Sequence, residues 1–273
     1  MGSSHQRVRR LRRLVQKRSL RWSEGVCVLE GPDLIAAALD TAVEFEALYV
    51  DGAHVDGPEV AALVDRAQAA GVRIFALAPG VLEKVADATT PQPLLAAVRF
   101  PIAQLSAIPS EGLVLVLHDV RDPGNAGTII RSSDAAGVAA VIFTGQSVDP
   151  FNPKTLRATA GSIFHVPVAV GTLEETLDHF VATGAHTYAT LVRGGVDHRT
   201  VDFSEPSVVV IGNEADGLDD DAVAACQGAV SISMAGRNES LNAGVAAALI
   251  AFEALWQRQG ADSPQPPSSL TGT

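Results

Sequence analysis

Leu113-Val114-Leu115-Val116-Leu117 is an unbroken apolar run followed at once by polar and turn-forming residues, His118 to Gly127. A strand with one wet face alternates apolar and polar residues; a strand covered on both faces is continuously apolar, as in a parallel sheet. Downstream, strand and helix patterns alternate. Gly124–Ala136 reads as a helix with a small-residue face at Ala126, Ile130, Ser133 and Gly137, and Ala139–Phe143 as a strand. A helix at Asn152–Ala160, a strand at His165–Val170, a helix at Leu173–Thr183 and strands at Thr187–Leu191, Val208–Ile211 and Val230–Ser233 follow. Ser240–Trp256 closes the series as a helix so apolar that it must be buried on most sides, by its own fold or by a partner subunit. This order predicts an α/β fold with a mostly parallel sheet, whose ligands bind in the loops after the strands.

Upstream of the run, Pro91, Pro93, Pro101 and Pro109 crowd a stretch without helical period, which places a domain boundary near 100–111. Before it, strands at Val26–Glu30, Phe45–Val50 and Arg73–Leu77 alternate with helices at Leu34–Leu39, Pro58–Ala70 and Pro79–Ala86. The expected organisation is a basic arm over 1–24, a small α/β domain over 25–105, a second α/β domain over 112–258 and a disordered tail over 260–273.

The 273 residues carry a net charge of −11, unevenly spread. Residues 1–24 hold eight Lys/Arg against Glu24, a net +7, which leaves −18 on the rest. A basic arm on an acidic body is a footprint for a polyanion, or a solvated terminus that keeps the chain soluble. The longest apolar run, Val245–Phe252, is eight residues, far below the roughly 20 needed to cross a membrane, so no membrane partner is expected. No apolar signal segment opens the chain. Cys27 and Cys226 stand alone, which fits a reducing cytoplasm and offers no cysteine framework for zinc.

The chain has no GxxxxGK[ST] loop, no GxGxxG after a strand, no GxSxG and no HExxH. Three loops remain. The first holds Asn125, placed to cap its helix, and leads to Arg131, which lies off the small-residue face and within reach of Asp134 at i,i+3. The second is Gly212-Asn213-Glu214-Ala215-Asp216-Gly217-Leu218, where glycine at a strand end permits close approach of a ligand to the backbone. The third runs from Ile232 through Met234, Ser240, Leu241 and Asn242 into the apolar helix. Taken singly, Glu214 and Asp216 read equally as turn residues, Ser240 as a helix cap and Asn242 as a first-turn polar residue.

Taken together and in order, NxxxxxR (Asn125, Arg131), GNExxGL (Gly212–Leu218) and IxMxGxxxSLN (Ile232–Asn242) resemble the three motifs of the SpoU (TrmH-type) methyltransferases of the SPOUT superfamily. Arg157-Ala158, and Gly161 before Phe164 and Val166-Pro167, extend the resemblance, and Val26–Pro32 is similar to the small RNA-binding domain that precedes this catalytic domain in many members. His165 and Ala243-Gly244 depart from the pattern without touching the motif residues.

The resemblance implies a C-terminal trefoil knot, S-adenosylmethionine as methyl donor, a homodimer and transfer to a ribose 2′-hydroxyl. It implies a cofactor held mainly by backbone groups at Leu191, Gly212, Ile232, Met234 and Leu241. It makes Arg131 the catalytic residue, oriented by Asn125 and fixed by Glu214, with Ser240 and Asn242 holding ribose or phosphate. A guanidinium stays protonated and has no lone pair to offer, so stabilising the developing alkoxide suits Arg131 better than a base role. No metal is required. The 2′-hydroxyl target makes RNA, and not DNA, the partner. Members with the front domain favour large-subunit ribosomal RNA; transfer RNA is the alternative, as is an RNA-binding protein without activity.

Overall fold

The computed structural model describes residues 1–54, 57–86, 92–237 and 240–262. Pro91, Asn238, Glu239 and the expected tail from residue 263 onward lie outside the described residues.

The second half is built on β5 (Leu113–His118), β6 (Ala140–Thr144), β7 (Val168–Val170), β8 (His186–Thr190), β9 (Val196–Asp197), β10 (Ser207–Ile211) and β11 (Gly228–Ser231). They form one sheet in the order β7-β6-β5-β10-β8-β11-β9, with every strand pairing parallel. Leu113 to Leu117 are all buried. Alternate residues explain why: Leu113, Leu115 and Leu117 enter one core, Val114 and Val116 another on the opposite face.

The first of these cores is closed by α5 (Pro123–Ala136), α6 (Pro153–Thr159) and α9 (Ala243–Asp262), the second by α7 (Leu173–Ala182). A short α8 (Asp220–Ala224), not foreseen in the sequence, precedes β11. Gly127 sets the α5–α6 spacing: a Cβ there would lie 2.9 Å from the Thr155 carbonyl oxygen, closer than packing allows.

The final helix begins at Ala243 rather than Ser240 and runs to Asp262, into the region expected to be tail. Asn242 supplies the reason for its start, since its Oδ1 accepts from the backbone N–H of Gly244 at 2.9 Å and of Val245 at 3.3 Å. Ala247, Ile250, Ala251 and Ala254 are buried, whereas Val245, Leu249 and Trp256 are 47%, 39% and 59% exposed.

The first half also departs from its sequence reading. The stretch expected to be a basic arm is two helices, α1 (Gln6–Gln16) and α2 (Arg18–Glu24). Val8, Leu11, Leu14 and Val15 are buried against a four-stranded sheet, and burial of such side chains contributes about 1.5–3 kcal/mol each. That sheet comprises β1 (Val26–Glu30), β2 (Phe45–Asp51), β3 (Ile74–Leu77) and β4 (Leu94–Arg99), in the order β1-β4-β2-β3. β4 was not foreseen, yet it sits between β1 and β2, antiparallel to both. Helices α3 (Pro32–Leu39) and α4 (Pro58–Ala69) cover the other face and share one continuous core with α5, α6 and α9. A 3-10 turn at Leu82–Lys84 replaces the expected helix over Pro79–Ala86.

Candidate active site

The loops after β5, β8, β10 and β11 converge at the carboxyl edge of the parallel sheet. Asp122 caps α5, its Oδ1 accepting from the Asn125 backbone N–H at 2.7 Å. Asn125 is therefore not the cap, and its side chain is free for other work. Its Nδ2 donates to Glu214 Oε1 at 3.0 Å, and its Oδ1 accepts from Asn242 Nδ2 at 2.8 Å. The three motifs thus meet in one hydrogen-bonded row, Glu214–Asn125–Asn242.

Glu214 also accepts from the backbone N–H groups of Asp122 at 3.1 Å and Arg121 at 3.2 Å. Partial burial pushes its carboxyl up, but the Asn125 amide and the backbone N–H groups of Glu214, Arg121 and Asp122 outweigh this and hold it below its ordinary value. The side chain is an anionic clamp on the loop after β5.

Asn213, which the sequence did not single out, shapes the second loop. Its Oδ1 accepts from Ala215 N–H at 2.9 Å, its Nδ2 donates to the Asp119 carbonyl at 2.8 Å, and its backbone exchanges two 3.0 Å bonds with Gly217. This folds the loop across Gly212, where a Cβ would come within 2.5 Å of the Gly217 carbonyl carbon. Glycine is needed at 212 for the loop's own backbone, not only for a ligand's approach as the sequence suggested.

A cavity of about 190 Å³ opens between these loops. Leu191, Gly212, Ile232, Met234 and Leu241 all line it, with Ile211, Ala246 and Ile250 deepening its apolar wall. Glu214 and Ser240 line it as well. Apolar residues share that lining with the loop residues 190–192 and 212–217, whose backbone groups are available where the side chain is small or absent, as at Gly212 and Gly217. Such a surface suits a flat heteroaromatic group flanked by polar atoms that backbone groups can read. The lining therefore fits S-adenosylmethionine in chemical character.

Arg131 lies apart from the hydrogen-bonded row. It is six residues beyond Asn125 and so on another face of α5, the exposed stripe of Gly124, Thr128, Arg131 and Ala135. Among the described residues its guanidinium has no hydrogen bond or ion pair. Two expectations are corrected here. Asn125 and Glu214 do not hold Arg131: the bonds of their side chains run to one another, to Asn242 and to the backbone of Arg121 and Asp122. Nor does Arg131 pair with Asp134, whose carboxylate is 3.1 Å from His165 Nδ1. Thr128, one turn back on the same exposed stripe, packs on Gly244 at the start of α9.

Residues 112–252 match the SpoU rRNA Methylase family, and residues 5–96 match the MRM3-like substrate binding domain. The chain is 34% identical over 182 residues to the Bacillus subtilis 23S rRNA (guanosine(2553)-2'-O)-methyltransferase RlmP, covering 67% of this chain and 72% of that one. It is 38% identical over 193 residues to the 23S rRNA (uridine(2479)-2'-O)-methyltransferase of Streptomyces viridochromogenes, 67% of each chain. Among solved structures, the AdoMet-bound rRNA methyltransferase from Sinorhizobium meliloti superposes with a TM-score of 0.81 at 31% identity, over 92% of this chain and 94% of that one.

Proposed function

The chain belongs to the SpoU rRNA methylase family, and from that premise we propose that it methylates a ribose 2′-hydroxyl in large-subunit ribosomal RNA. It is an S-adenosylmethionine-dependent RNA 2′-O-methyltransferase. The observation that carries the active-site reading is the meeting of Glu214, Asn125 and Asn242 beside an apolar cavity lined by Leu191, Gly212, Ile232, Met234 and Leu241.

A 2′-hydroxyl is a poor nucleophile while protonated, so a site that acts on it must favour the developing alkoxide and hold it in line. When bound, S-adenosylmethionine supplies an electrophilic methyl group on a sulfonium. In this reading Leu191, Ile232, Met234 and Leu241 exclude water, and the Gly212 backbone reads the cofactor's polar atoms. Arg131, with five N–H donors and no partner among the described residues, grips a phosphate of the RNA and stabilises the alkoxide. Asn125 and Glu214 act one step back: they fix the loop and the Asn242 amide, and Asn242 and Ser240 face the ribose.

The basic stretch of α1 and the start of α2 supports placing RNA on the N-terminal domain. Arg9, Arg12, Arg13, Lys17 and Arg18 are exposed, whereas Arg10 pairs with Glu24 and Glu46, and Arg21 is buried. The exposed Val245, Leu249 and Trp256 on α9 support a homodimer. Leu249→Glu should turn a particle of twice 28.3 kDa into one of 28.3 kDa in light scattering; one mass for both proteins overturns the dimer. The knot belongs to the same reading, supported by the loops after β8, β10 and β11 sharing one cavity. So does action in the cytoplasm, where ribosomal RNA and the free thiols of Cys27 and Cys226 are both at home.

The test is transfer of labelled methyl from S-adenosylmethionine to ribosomal RNA lacking the modification, followed by nucleoside mass spectrometry. A 2′-O-methylnucleoside in large-subunit RNA is expected. Methylation of transfer RNA alone, or of a base, overturns the proposal.

A further inference from the structure

The loop joining β6 to α6, residues 145–151, touches neither the cavity nor the Glu214–Asn125–Asn242 row, yet it is bonded to both ends of the enzyme. At one end Asp149 meets the N-terminal domain. Its Oδ2 accepts from Arg21 Nε at 2.9 Å and Nη2 at 2.6 Å, and its Oδ1 from Trp22 Nε1 at 3.2 Å. The Arg21 and Asp149 side chains are each only 3% exposed. The remaining Arg21 nitrogen donates to the Leu14 and Val15 carbonyls near the end of α1. Phe100 stacks on Phe151 at 4.0 Å, and the Trp22 ring sits edgewise on both. At the other end the loop holds the segment 117–120 that leads from β5 toward the first motif. Gln146 N–H donates to Asp119 Oδ1, Val148 N–H donates to the Val120 carbonyl at 2.9 Å, and Ser147 Oγ bridges the Leu117 carbonyl and the Val120 N–H at 2.8 and 3.1 Å.

Asp119 is where these bonds become consequential. Its φ of +59° is a left-handed conformation that costs on the order of 1 kcal/mol outside glycine and persists only when its surroundings impose it. Two bonds do so: the Gln146 N–H on its carboxylate and the Asn213 amide on its carbonyl. That turn aims the next N–H groups, of Arg121 and Asp122, at Glu214. A buried ion pair such as Arg21–Asp149 adds little net stability over an apolar pair of equal volume, so what it contributes is a fixed geometry.

We propose that residues 145–151 are a strut through which the docked N-terminal domain fixes the catalytic loop, with Asp149 and Asp119 as positioning residues for methyl transfer. The inference rests on the methyltransferase reading above. RNA held by the N-terminal domain is thereby registered against the loop that leads into α5 and Asn125. A displacement of the order of 1 Å there is enough to slow transfer about a hundredfold.

The experiment is single-turnover methylation of ribosomal RNA by the full-length chain at saturating RNA and S-adenosylmethionine, with the affinities for both and the melting temperature measured alongside. Asp119→Gly relieves the strained φ but deletes the carboxylate; Asp119→Asn keeps an acceptor oxygen and tolerates the left-handed turn. The expected result is a rate loss of about tenfold to a hundredfold in Asp119→Gly with both affinities unchanged, and recovery of most of that rate in Asp119→Asn. Asp149→Asn should slow transfer in the same way without weakening RNA binding. If it fails to fold, Ser147→Ala, which cuts the middle of the strut without stranding a charge, takes its place with the same expectation. Wild-type rates in Asp119→Gly, or rate losses that only follow lost RNA affinity, overturn the strut. No methyl incorporation by the unsubstituted protein overturns the methyltransferase reading instead, and the two failures are distinguishable in the one assay.

Discussion

Asn242 Nδ2 donates to Asn125 Oδ1 at 2.8 Å, so two motifs 117 positions apart are read by one amide, whose other end donates to Glu214. Asn125→Ala removes both bonds. Glu214 then loses a donor to its anionic form, and its carboxyl should rise toward its ordinary value of 4.5. The sign follows: a lowered carboxyl contributes stability that is fully present above that value and disappears as pH falls through the folded one. Wild type should therefore keep its loop ordered at acid pH where Asn125→Ala does not. Carboxyl chemical shifts of Glu214 followed against pH check this, together with methylation rates. An unchanged Glu214 titration in the variant would remove Asn125 from the row.

Cofactor binding should depend on loop backbone and apolar wall more than on that row. Gly212→Ala drives a methyl into the backbone of Gly217 and Leu218, a clash that only displacement of the whole loop relieves. Leu241→Glu puts a charge into an apolar lining. Both should abolish S-adenosylmethionine binding in calorimetry, while Asn125→Ala should retain it. Cofactor affinity lost in Asn125→Ala but kept in Gly212→Ala would place the cofactor elsewhere.

The parallel sheet was legible because its signal is local: a run such as Leu113–Leu117 has one explanation, burial on both faces. β4 carries the same signal in Leu94–Val98, but Pro91 and Pro93 before it read as a linker. α1 was hidden differently. Val8, Leu11 and Val15 recur at helical spacing, yet so many arginines lie between them that charge dominated the pattern. The candidate site residues were brought together in the sequence only through resemblance. No periodicity joins Glu214 to Asn125 across 89 positions, and the competition between Asp122 and Asn125 for the helix cap is decided by geometry that composition does not record. Arg131's isolation was invisible for the same reason: His165, which occupies Asp134, comes from another loop.

The basic residues of the first two helices should separate into two groups. Arg12 and Arg13 are exposed, so Arg12→Glu with Arg13→Glu should weaken RNA binding and lower its salt slope by about 0.7 for each phosphate no longer neutralised. Arg21→Ala leaves Asp149 buried without its partner and should cost about 3–5 kcal/mol of stability. Filter-binding titrations across salt concentrations, beside denaturant melts, distinguish the groups. A salt slope unmoved by the double substitution would return α1 to a structural role alone.

Arg131 is proposed to act in the reaction, and the described structure gives it no part in the fold. It is exposed on α5, no described residue bonds its guanidinium, and the helix packs through Ala126, Ile129, Ile130 and Ser133 without it. Arg131→Ala should therefore change stability by no more than about 0.5 kcal/mol, as for other surface sites. If the guanidinium stabilises the 2′-alkoxide, its loss raises the barrier by about 2.7–4 kcal/mol, a rate drop of a hundredfold or more. Arg131→Lys keeps the charge but not the planar fork that spans two oxygens, so it should be impaired nearly as much. Cofactor affinity should be unchanged in both, because Arg131 is not among the residues that line the cavity. Single-turnover methylation, calorimetry and melting temperature on the two variants give a decisive pattern: a large rate loss with stability and cofactor binding intact. Near-wild-type transfer by either variant would falsify the catalytic assignment and leave the Glu214–Asn125–Asn242 row as the place to look for it.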